Sequence, residues 1–176
     1  MTNDRVRTIC LHGPESVGKS MIARALADTL GGELVNEYGR DYCEVHGTDL
    51  TMEDLLQIGR VQTELISAAR ARATRWVIAD TDALMTAVWA DMMLGRRDPW
   101  FEHFSDYADL YLLLDIDLPF IDDGLRIFGG TAARVHFFGL CRSELKRRGV
   151  AWALVGGTGE ARLSSALAAI RAMSGE

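Results

Sequence analysis

The residues best suited to chemistry form one segment, Gly-Pro-Glu-Ser-Val-Gly-Lys-Ser, which runs from Gly13 to Ser20. It matches G-x-x-x-x-G-K-[ST], the phosphate-binding P-loop. Glycines lack a Cβ, so the backbone can approach phosphate oxygens and aim successive N–H groups at them. The lysine of such a loop reaches the β- and γ-phosphates, and the last hydroxyl binds Mg²⁺. The motif predicts a nucleoside triphosphate site formed by Gly13, Glu15, Ser16, Val17, Gly18, Lys19, Ser20 and Met21.

Two carboxylates follow the apolar run at 75–80. Asp80 ends this run, and an acid there is suited to hold Mg²⁺ opposite Ser20, directly or through water. The alternative for both acids is that they cap the helix that follows, a role for which Asp82 is well placed.

Polar and aromatic residues follow the short strand candidate at 33–36. Glu37 is suited to orient or deprotonate an attacking hydroxyl, provided that the γ-phosphate lies within reach. Tyr38 and Arg40 lie beside it in the sequence. A surface salt bridge is the alternative interpretation of Glu37 and Arg40.

An acidic, glycine-bearing segment follows the apolar run at 109–114. Its clustered acids, Asp122 and Asp123 among them, repel one another unless a cation or a hydroxyl-rich ligand uses them. Arg126 and Arg134 would supply positive charge to phosphoryl transfer from a lid at about 118–136. An acidic surface loop with two exposed arginines is the alternative.

Trp89 and Phe120 are candidates for stacking on a flat ring, although an aromatic residue at helical spacing more often belongs to a core. The four histidines are scattered and show no metal-ligand spacing. No serine or cysteine is paired with a base in the manner of a hydrolase. Phosphoryl transfer is therefore the favoured chemistry.

Alternating strands and helices position these residues. Apolar runs predict strands at 6–11, 33–36, 75–80, 109–114 and 150–155, and helical periodicity predicts helices at 20–30, 51–72, 83–94, 131–148 and 160–173. Thr51 and Asp54 form a predicted capping box. This order predicts a P-loop NTPase of three α/β/α layers, with a parallel sheet of about five strands in a single domain, 1–176. Ligands of such folds bind at the carboxyl ends of the strands.

Composition limits the classes of binding partner that are expected. The chain has 176 residues, 48% of them hydrophobic, and a formal net charge of −6. This charge leaves no basic excess to neutralise phosphates, so no nucleic-acid partner is expected. No apolar run approaches the length of a membrane span and no signal-peptide pattern is visible, so no membrane partner is expected. Three scattered cysteines form no CxxC pair, which favours a reduced, cytoplasmic setting.

Taken together, these residues resemble the ribosylnicotinamide kinase domain of NadR-type proteins, which are P-loop kinases. The resemblance extends from about residue 7 to residue 163. Its most specific part is Pro-Phe-Ile-Asp-Asp-Gly-Leu-Arg at 119–126. The other matching segments are 13–20, 37–40, 51–55 with Gln62, 80–82 with Thr86 and Trp89, 111–114, and Arg134.

The resemblance implies an ATP- and Mg²⁺-dependent kinase that phosphorylates the ribose 5′-hydroxyl of nicotinamide riboside, giving nicotinamide mononucleotide in NAD salvage. Either Glu37 or Asp80 would be the general base. The implied catalytic residues are Lys19, Glu37, Asp80, Arg126 and Arg134, and the implied metal ligands are Ser20 and Asp80. The implied substrate contacts are Glu37, Tyr38, Arg40, Asp82, Trp89, Phe120, Asp122 and Asp123.

Two features depart from the family. Phe120 stands where tryptophan is frequent, so an aromatic face is kept but an indole N–H is lost. The segment before Arg7 has no room for the nucleotidyltransferase and DNA-binding domains of full-length NadR-type proteins, so adenylylation and repressor activity are not expected. A kinase for another nucleoside, an NTP-hydrolysing switch and a module that only senses NAD precursors stay open as alternatives, as does a homo-oligomer.

Overall fold

A parallel sheet forms the centre of the molecule. The structure is a computed structural model and describes residues 5–175. Its strands are β1 (Arg7–His12), β2 (Glu33–Val35), β3 (Trp76–Ala79), β4 (Leu110–Leu114) and β5 (Trp152–Val155). They lie in the order β2-β3-β1-β4-β5, and each neighbouring pair is parallel. Because the strands run in one direction, their carboxyl ends meet at one edge of the sheet.

Helices cover both faces of this sheet. They are α1 (Lys19–Leu30), α2 (Tyr38–His46), α3 (Met52–Arg72), α4 (Ala83–Leu94), α5 (Pro99–His103), α6 (Thr131–Arg148) and α7 (Gly159–Ser174). On one face, α1 and α7 pack through Leu26 and Ile170. On the other, α3, α4 and α6 pack through Ala69, Leu84 and Phe137. This arrangement confirms the predicted three-layer α/β/α fold.

The strands alternate between these two cores. On β1, Ile9 and Leu11 contribute to the core under α1 and α7, whereas Cys10 contributes to the core under α3, α4 and α6. Every residue of β4 is buried. Covering on both faces explains why the strands read as apolar runs rather than as alternating patterns. Between residues 5 and 175, no helix combines the length and apolar character needed to cross a membrane.

Helix α2 was not predicted from the sequence. Its buried residue is Tyr42, and it has no apolar stripe to mark a helix. Contacts with α3 hold it instead, because the Tyr38 amide donates to Gln62 Oε1 at 2.8 Å and the Tyr42 hydroxyl donates to Asp54 Oδ1 at 2.5 Å. Asp54 also closes the predicted capping box with Thr51. Tertiary contacts therefore make this segment helical where local periodicity does not.

Candidate active site

A cavity of about 590 Å³ opens where the P-loop, the end of β3 and helices α2, α3 and α4 meet. Lys19, Ser20, Glu37 and Asp80 contribute its polar wall. Its apolar wall includes Leu55, Ile58, Met85, Trp89 and Met93. A few polar groups beside an apolar wall are typical of small-molecule sites. The structure therefore brings the P-loop and the two carboxylates that follow β2 and β3 into one compartment.

The P-loop between β1 and α1 has the backbone geometry of an anion-binding loop. Gly13 has a φ of +136°, and a Cβ there would lie 3.0 Å from the Leu114 carbonyl oxygen. Ser16 and Gly18 have φ values of 61° and 81°, whereas Val17 between them does not have a positive φ. Such alternation turns successive N–H groups to the same side. Helix α1 begins directly after Gly18 and adds the partial positive charge of its N-terminus.

The Lys19 ammonium is held across this loop. Its Nζ donates to the carbonyl oxygens of Gly13 and Pro14, at 3.0 Å and 2.7 Å. It also acts on the neighbouring acids, since its charge lowers the pKa values of both Glu37 and Asp80. The ammonium is therefore bonded to the P-loop backbone and lies near enough to both carboxyls to affect their pKa values.

Asp80 follows β3 directly and is only 2% exposed. Burial raises the pKa of its carboxyl, and the Lys19 charge and a hydrogen bond with the Ser20 side chain offset this rise only in part. Its Oδ1 is buried without a hydrogen-bond partner among the described residues. A carboxylate oxygen left unpaired beside a hydroxyl is a donor set that suits a hard cation such as Mg²⁺. Within residues 5–175 no group of three or more His, Cys, Asp or Glu side chains forms a metal cage, so phosphate and water would have to complete such a site.

Glu37 is half-buried at the point where β2 leads into α2. Burial raises the pKa of its carboxyl to about 7, with the Asp80 carboxylate adding to the rise and the charges of Lys19 and Arg40 opposing it. A carboxyl that titrates near neutral pH can accept a proton from a hydroxyl, as general bases do. The sequence leaves both Glu37 and Asp80 open as candidate bases, and the raised pKa of Glu37 is compatible with that role.

Gln62 holds the backbone next to both Glu37 and Asp80. It is 1% exposed, and its amide nitrogen donates to the carbonyl oxygens of Asn36 and Thr81, at 3.1 Å and 3.4 Å. Its Oε1 accepts from the Tyr38 amide. One side chain thus joins the ends of β2 and β3. Sequence analysis did not count Gln62 as a site residue, although a glutamine within the apolar stripe of α3 was the available signal.

The segment 115–130, between β4 and α6, packs against the P-loop. The lid predicted at about 118–136 covers most of this segment and the first residues of α6. Glu15 accepts from the amides of Ile127 at 3.1 Å and of Phe128 at 2.9 Å. Ser16 Oγ accepts from the Ile121 amide at 2.7 Å and from Arg126 Nη1 at 2.6 Å. Glu15 and Ser16 therefore hold the lid as well as belonging to the nucleotide loop.

Asp123 joins this lid to α2. Its Oδ2 lies 2.9 Å from Arg40 Nη2 and 3.1 Å from Arg126 Nε. Arg40 and Arg126 both line the cavity. The structure thus brings three predicted site residues together, although Asp123 does not itself line the cavity.

Asp82 lies outside the cavity wall, which corrects its predicted substrate contact. Its Oδ1 accepts from the Leu84 amide at 2.9 Å, and its Oδ2 accepts from the Tyr111 hydroxyl at 2.5 Å. Both carboxylate oxygens are used within the protein, so the geometry supports the alternative role of capping α4.

Other predicted contacts also lie away from the cavity wall. Arg134 donates to the Leu118 carbonyl oxygen at 3.0 Å and lies 5.9 Å from the ring centre of Phe120, so both residues brace the lid from within. Asp122 accepts from the Gly124 amide at 2.9 Å. Tyr38 packs edge-on against the ring of Tyr42. Trp89, by contrast, does line the cavity.

We expect the Glu15→Ala substitution to loosen the lid. The variant removes the acceptor for the Ile127 and Phe128 amides, and hydrogen bonds to a charged group are the stronger kind. Hydrogen exchange followed by mass spectrometry should show the 127–128 amides exchanging about tenfold faster. The exposed Glu64 on α3 provides the control variant, Glu64→Ala. Equal exchange in both variants and the parent protein would show that other contacts hold the lid.

A family model described as an AAA domain matches residues 8–162. The chain belongs to the AAA domain family. This AAA domain is 31% identical over 153 residues to the trifunctional NAD biosynthesis/regulator protein NadR of Salmonella typhimurium, strain LT2. The match covers 82% of the chain but 37% of that relative, so the chain spans little more than a third of the relative's length.

Solved structures agree with this family assignment. A NadR protein crystallised in complex with NR is 25% identical to this AAA domain and superposes with a TM-score of 0.84, over 97% of this chain and 52% of that one. Thymidylate kinase from Ehrlichia chaffeensis, 14% identical, superposes with a TM-score of 0.67 over 96% of this chain and 99% of its own. The first match confirms the resemblance to NadR-type proteins, and the second shows that the fold is that of P-loop kinases.

Proposed function

We propose that this AAA domain is an ATP-dependent kinase that phosphorylates the ribose 5′-hydroxyl of nicotinamide riboside to give nicotinamide mononucleotide. The similarity to a NadR protein that binds NR supports this choice of acceptor. The P-loop kinase fold supports the choice of reaction class.

The observation that carries the proposal is the shared cavity. Lys19 and Ser20 of the P-loop and the carboxylates of Glu37 and Asp80 line the same compartment, whose far wall is apolar and includes Trp89. A switch protein that only hydrolyses a nucleotide has no need of an apolar wall for a flat ring beside the phosphate site. Phosphoryl transfer to a small alcohol uses both the phosphate-binding loop and this apolar wall.

Each polar group then has a role in the reaction. Lys19 and the P-loop amides hold the β- and γ-phosphates, and Arg126 in the lid adds positive charge to the transferring group. Ser20 and Asp80 would hold Mg²⁺, which neutralises phosphate charge when bound. Glu37 orients the 5′-hydroxyl and accepts its proton as the new O–P bond forms and the bond between the γ-phosphorus and the β–γ bridging oxygen breaks, leaving ADP.

Glu37 should make the reaction rate depend on pH. Because the pKa of Glu37 is raised to about 7, its proton-accepting form increases as the pH rises through this range. We expect kcat to rise with pH, with a midpoint near this pKa. In Glu37→Gln this rise should be absent and the rate should be about a hundredfold lower. That loss is the low end for general bases, because the transition state of phosphoryl transfer is loose.

The same pKa shift has a consequence for stability. The folded protein holds the proton of Glu37 more tightly than the unfolded chain does, so folding stability falls as the pH rises from the ordinary carboxyl range to about 7. Glu37→Gln removes this titration, so the melting temperature of the variant should depend less on pH between the ordinary carboxyl range and about 7. A wild-type pH–rate profile in Glu37→Gln would assign the base elsewhere.

A Mg²⁺–ATP assay with nicotinamide riboside tests the proposal, with the mononucleotide identified by mass. We expect product at about 0.1 per second or faster, that is, no more than about tenfold below the low end of ordinary enzymes. ADP formation stimulated by a different nucleoside would replace the acceptor. ADP formation that no nucleoside stimulates would favour the switch, and riboside binding without ATP consumption would favour a sensor.

A further inference from the structure

Arg162, in the first turn of α7, is a buried charge that sequence analysis did not single out. It is 0% exposed. Its Nε donates to the Gly157 carbonyl oxygen at 2.7 Å, and its Nη1 donates to the Val17 carbonyl oxygen at 3.0 Å. Both terminal nitrogens also lie 3.4 Å from the Asp115 carbonyl oxygen, and Nη2 pairs with Asp117. One guanidinium therefore ties the P-loop to the ends of β4 and β5.

The contact with Val17 determines the direction of a neighbouring amide. The peptide bonds of the described residues are all trans, so the C=O and N–H of each peptide unit point in opposite directions. Holding the Val17 carbonyl toward Arg162 therefore turns the Gly18 N–H away from Arg162. Gly18 lines the cavity, whereas Arg162 is fully buried and does not line it.

The loop needs such a contact because its backbone is strained. Ser16 adopts a φ of 61°, a left-handed conformation that residues with a Cβ disfavour. Strained conformations persist only where the surrounding structure holds them. Arg162 supplies a charged donor at the next residue, Val17.

We propose that Arg162 is a positioning residue for the nucleotide phosphates: by holding the Val17 carbonyl, it keeps the Gly18 amide directed at the bound anion. This inference rests on the proposed function only in requiring that the P-loop binds a nucleotide. It requires neither a particular acceptor nor turnover. Arg162 itself does not line the cavity.

Direct binding of Mg²⁺–ADP, measured by isothermal titration calorimetry, tests this role. We expect Arg162→Gln to raise the Kd for ADP by about tenfold or more, since it removes a charged donor from the loop. In the kinase assay the same variant should raise the KM for ATP and leave the KM for the riboside unchanged. An ADP affinity equal to that of the parent protein would overturn the proposal.

Arg148 provides a matched control for loss of a buried arginine. Its Nη1 donates to the Glu102 carbonyl oxygen at 2.8 Å and its Nε pairs with Glu144 at 2.8 Å, on the opposite face of the sheet from α7. Arg148→Gln should lower the melting temperature without changing the Kd for ADP. An equal loss of ADP affinity in both variants would reduce Arg162 to a general contribution to stability and overturn the proposal.

If Arg162→Gln does not fold, the milder variant Asp117→Asn tests the same role. Asp117→Asn keeps the guanidinium but removes its ion-pair partner, which is itself partly exposed. We expect a smaller rise in the Kd for ADP, in the same direction, and an unchanged Kd would overturn the proposal. A protein that binds ADP but phosphorylates no riboside would refute the proposed function while leaving this test readable.

Discussion

The Lys19→Ala variant is expected to lose about a thousandfold in kcat/KM for Mg²⁺–ATP and to remain folded. The ammonium is the charge that the P-loop presents to the β- and γ-phosphates, and removing one such preorganised donor typically costs about 10²–10³ in rate. Lys19 donates to the carbonyls of Gly13 and Pro14 and takes no part in either apolar core, so its loss removes no core packing.

Lys146 supplies the control for this variant, because it is the exposed lysine at the end of α6. Lys146→Ala should keep full activity in the same coupled assay of ADP release. A second readout comes from Glu37, whose pKa the Lys19 charge lowers. Any residual activity of Lys19→Ala should therefore titrate at a higher pH than that of the parent protein. Near-normal turnover in Lys19→Ala would contradict the assignment of the P-loop as the phosphate site.

Asp80→Asn is expected to lower the rate by roughly a thousandfold and to weaken its dependence on Mg²⁺. The substitution replaces a buried carboxylate oxygen that has no protein partner, beside the Ser20 hydroxyl, with a neutral group. It also removes a negative charge that raises the pKa of Glu37, so the pH midpoint of the remaining activity should move down. A titration of rate against Mg²⁺ and a pH profile measure the two effects.

Stability should change in the opposite direction to activity. Burial raises the pKa of Asp80 in the folded protein above its ordinary value. The folded protein therefore loses stability as the pH rises from the pKa of the unfolded chain to that of the folded protein. Asparagine does not titrate, and Asp80→Asn should therefore melt at a higher temperature than the parent at neutral pH. Asp28→Asn, at an exposed position on α1, should change neither property. A lower melting temperature together with an unchanged Mg²⁺ titration would make Asp80 a structural residue.

The elements of this protein that could be predicted from sequence are those defined by neighbouring residues. The P-loop pattern, the apolar strands, the capping box of Thr51 and Asp54 and the glycines that end helices all depend on spacing within a few residues. Two apolar cores on either side of a parallel sheet follow from the same pattern, because buried strands must be apolar on both faces. The order of elements was enough to predict the fold and to locate Lys19, Glu37 and Asp80 at one edge of the sheet.

Which polar group does what was decided by the tertiary structure. Asp80 and Asp82 are two residues apart and chemically alike, yet Tyr111 and the start of α4 use both oxygens of Asp82 while one oxygen of Asp80 is left unpaired. Helix α2 likewise depends on contacts with α3 and has no local signal.

The farthest contacts are the least visible in the sequence. Arg162 holds a carbonyl 145 residues away, and Glu15 accepts from an amide 113 residues away. Sequence spacing encodes periodicity and caps, because these depend on local backbone geometry. A contact between a buried side chain and a distant carbonyl forms only in the folded chain. Folding removes water from both groups, so each must hydrogen-bond to the other.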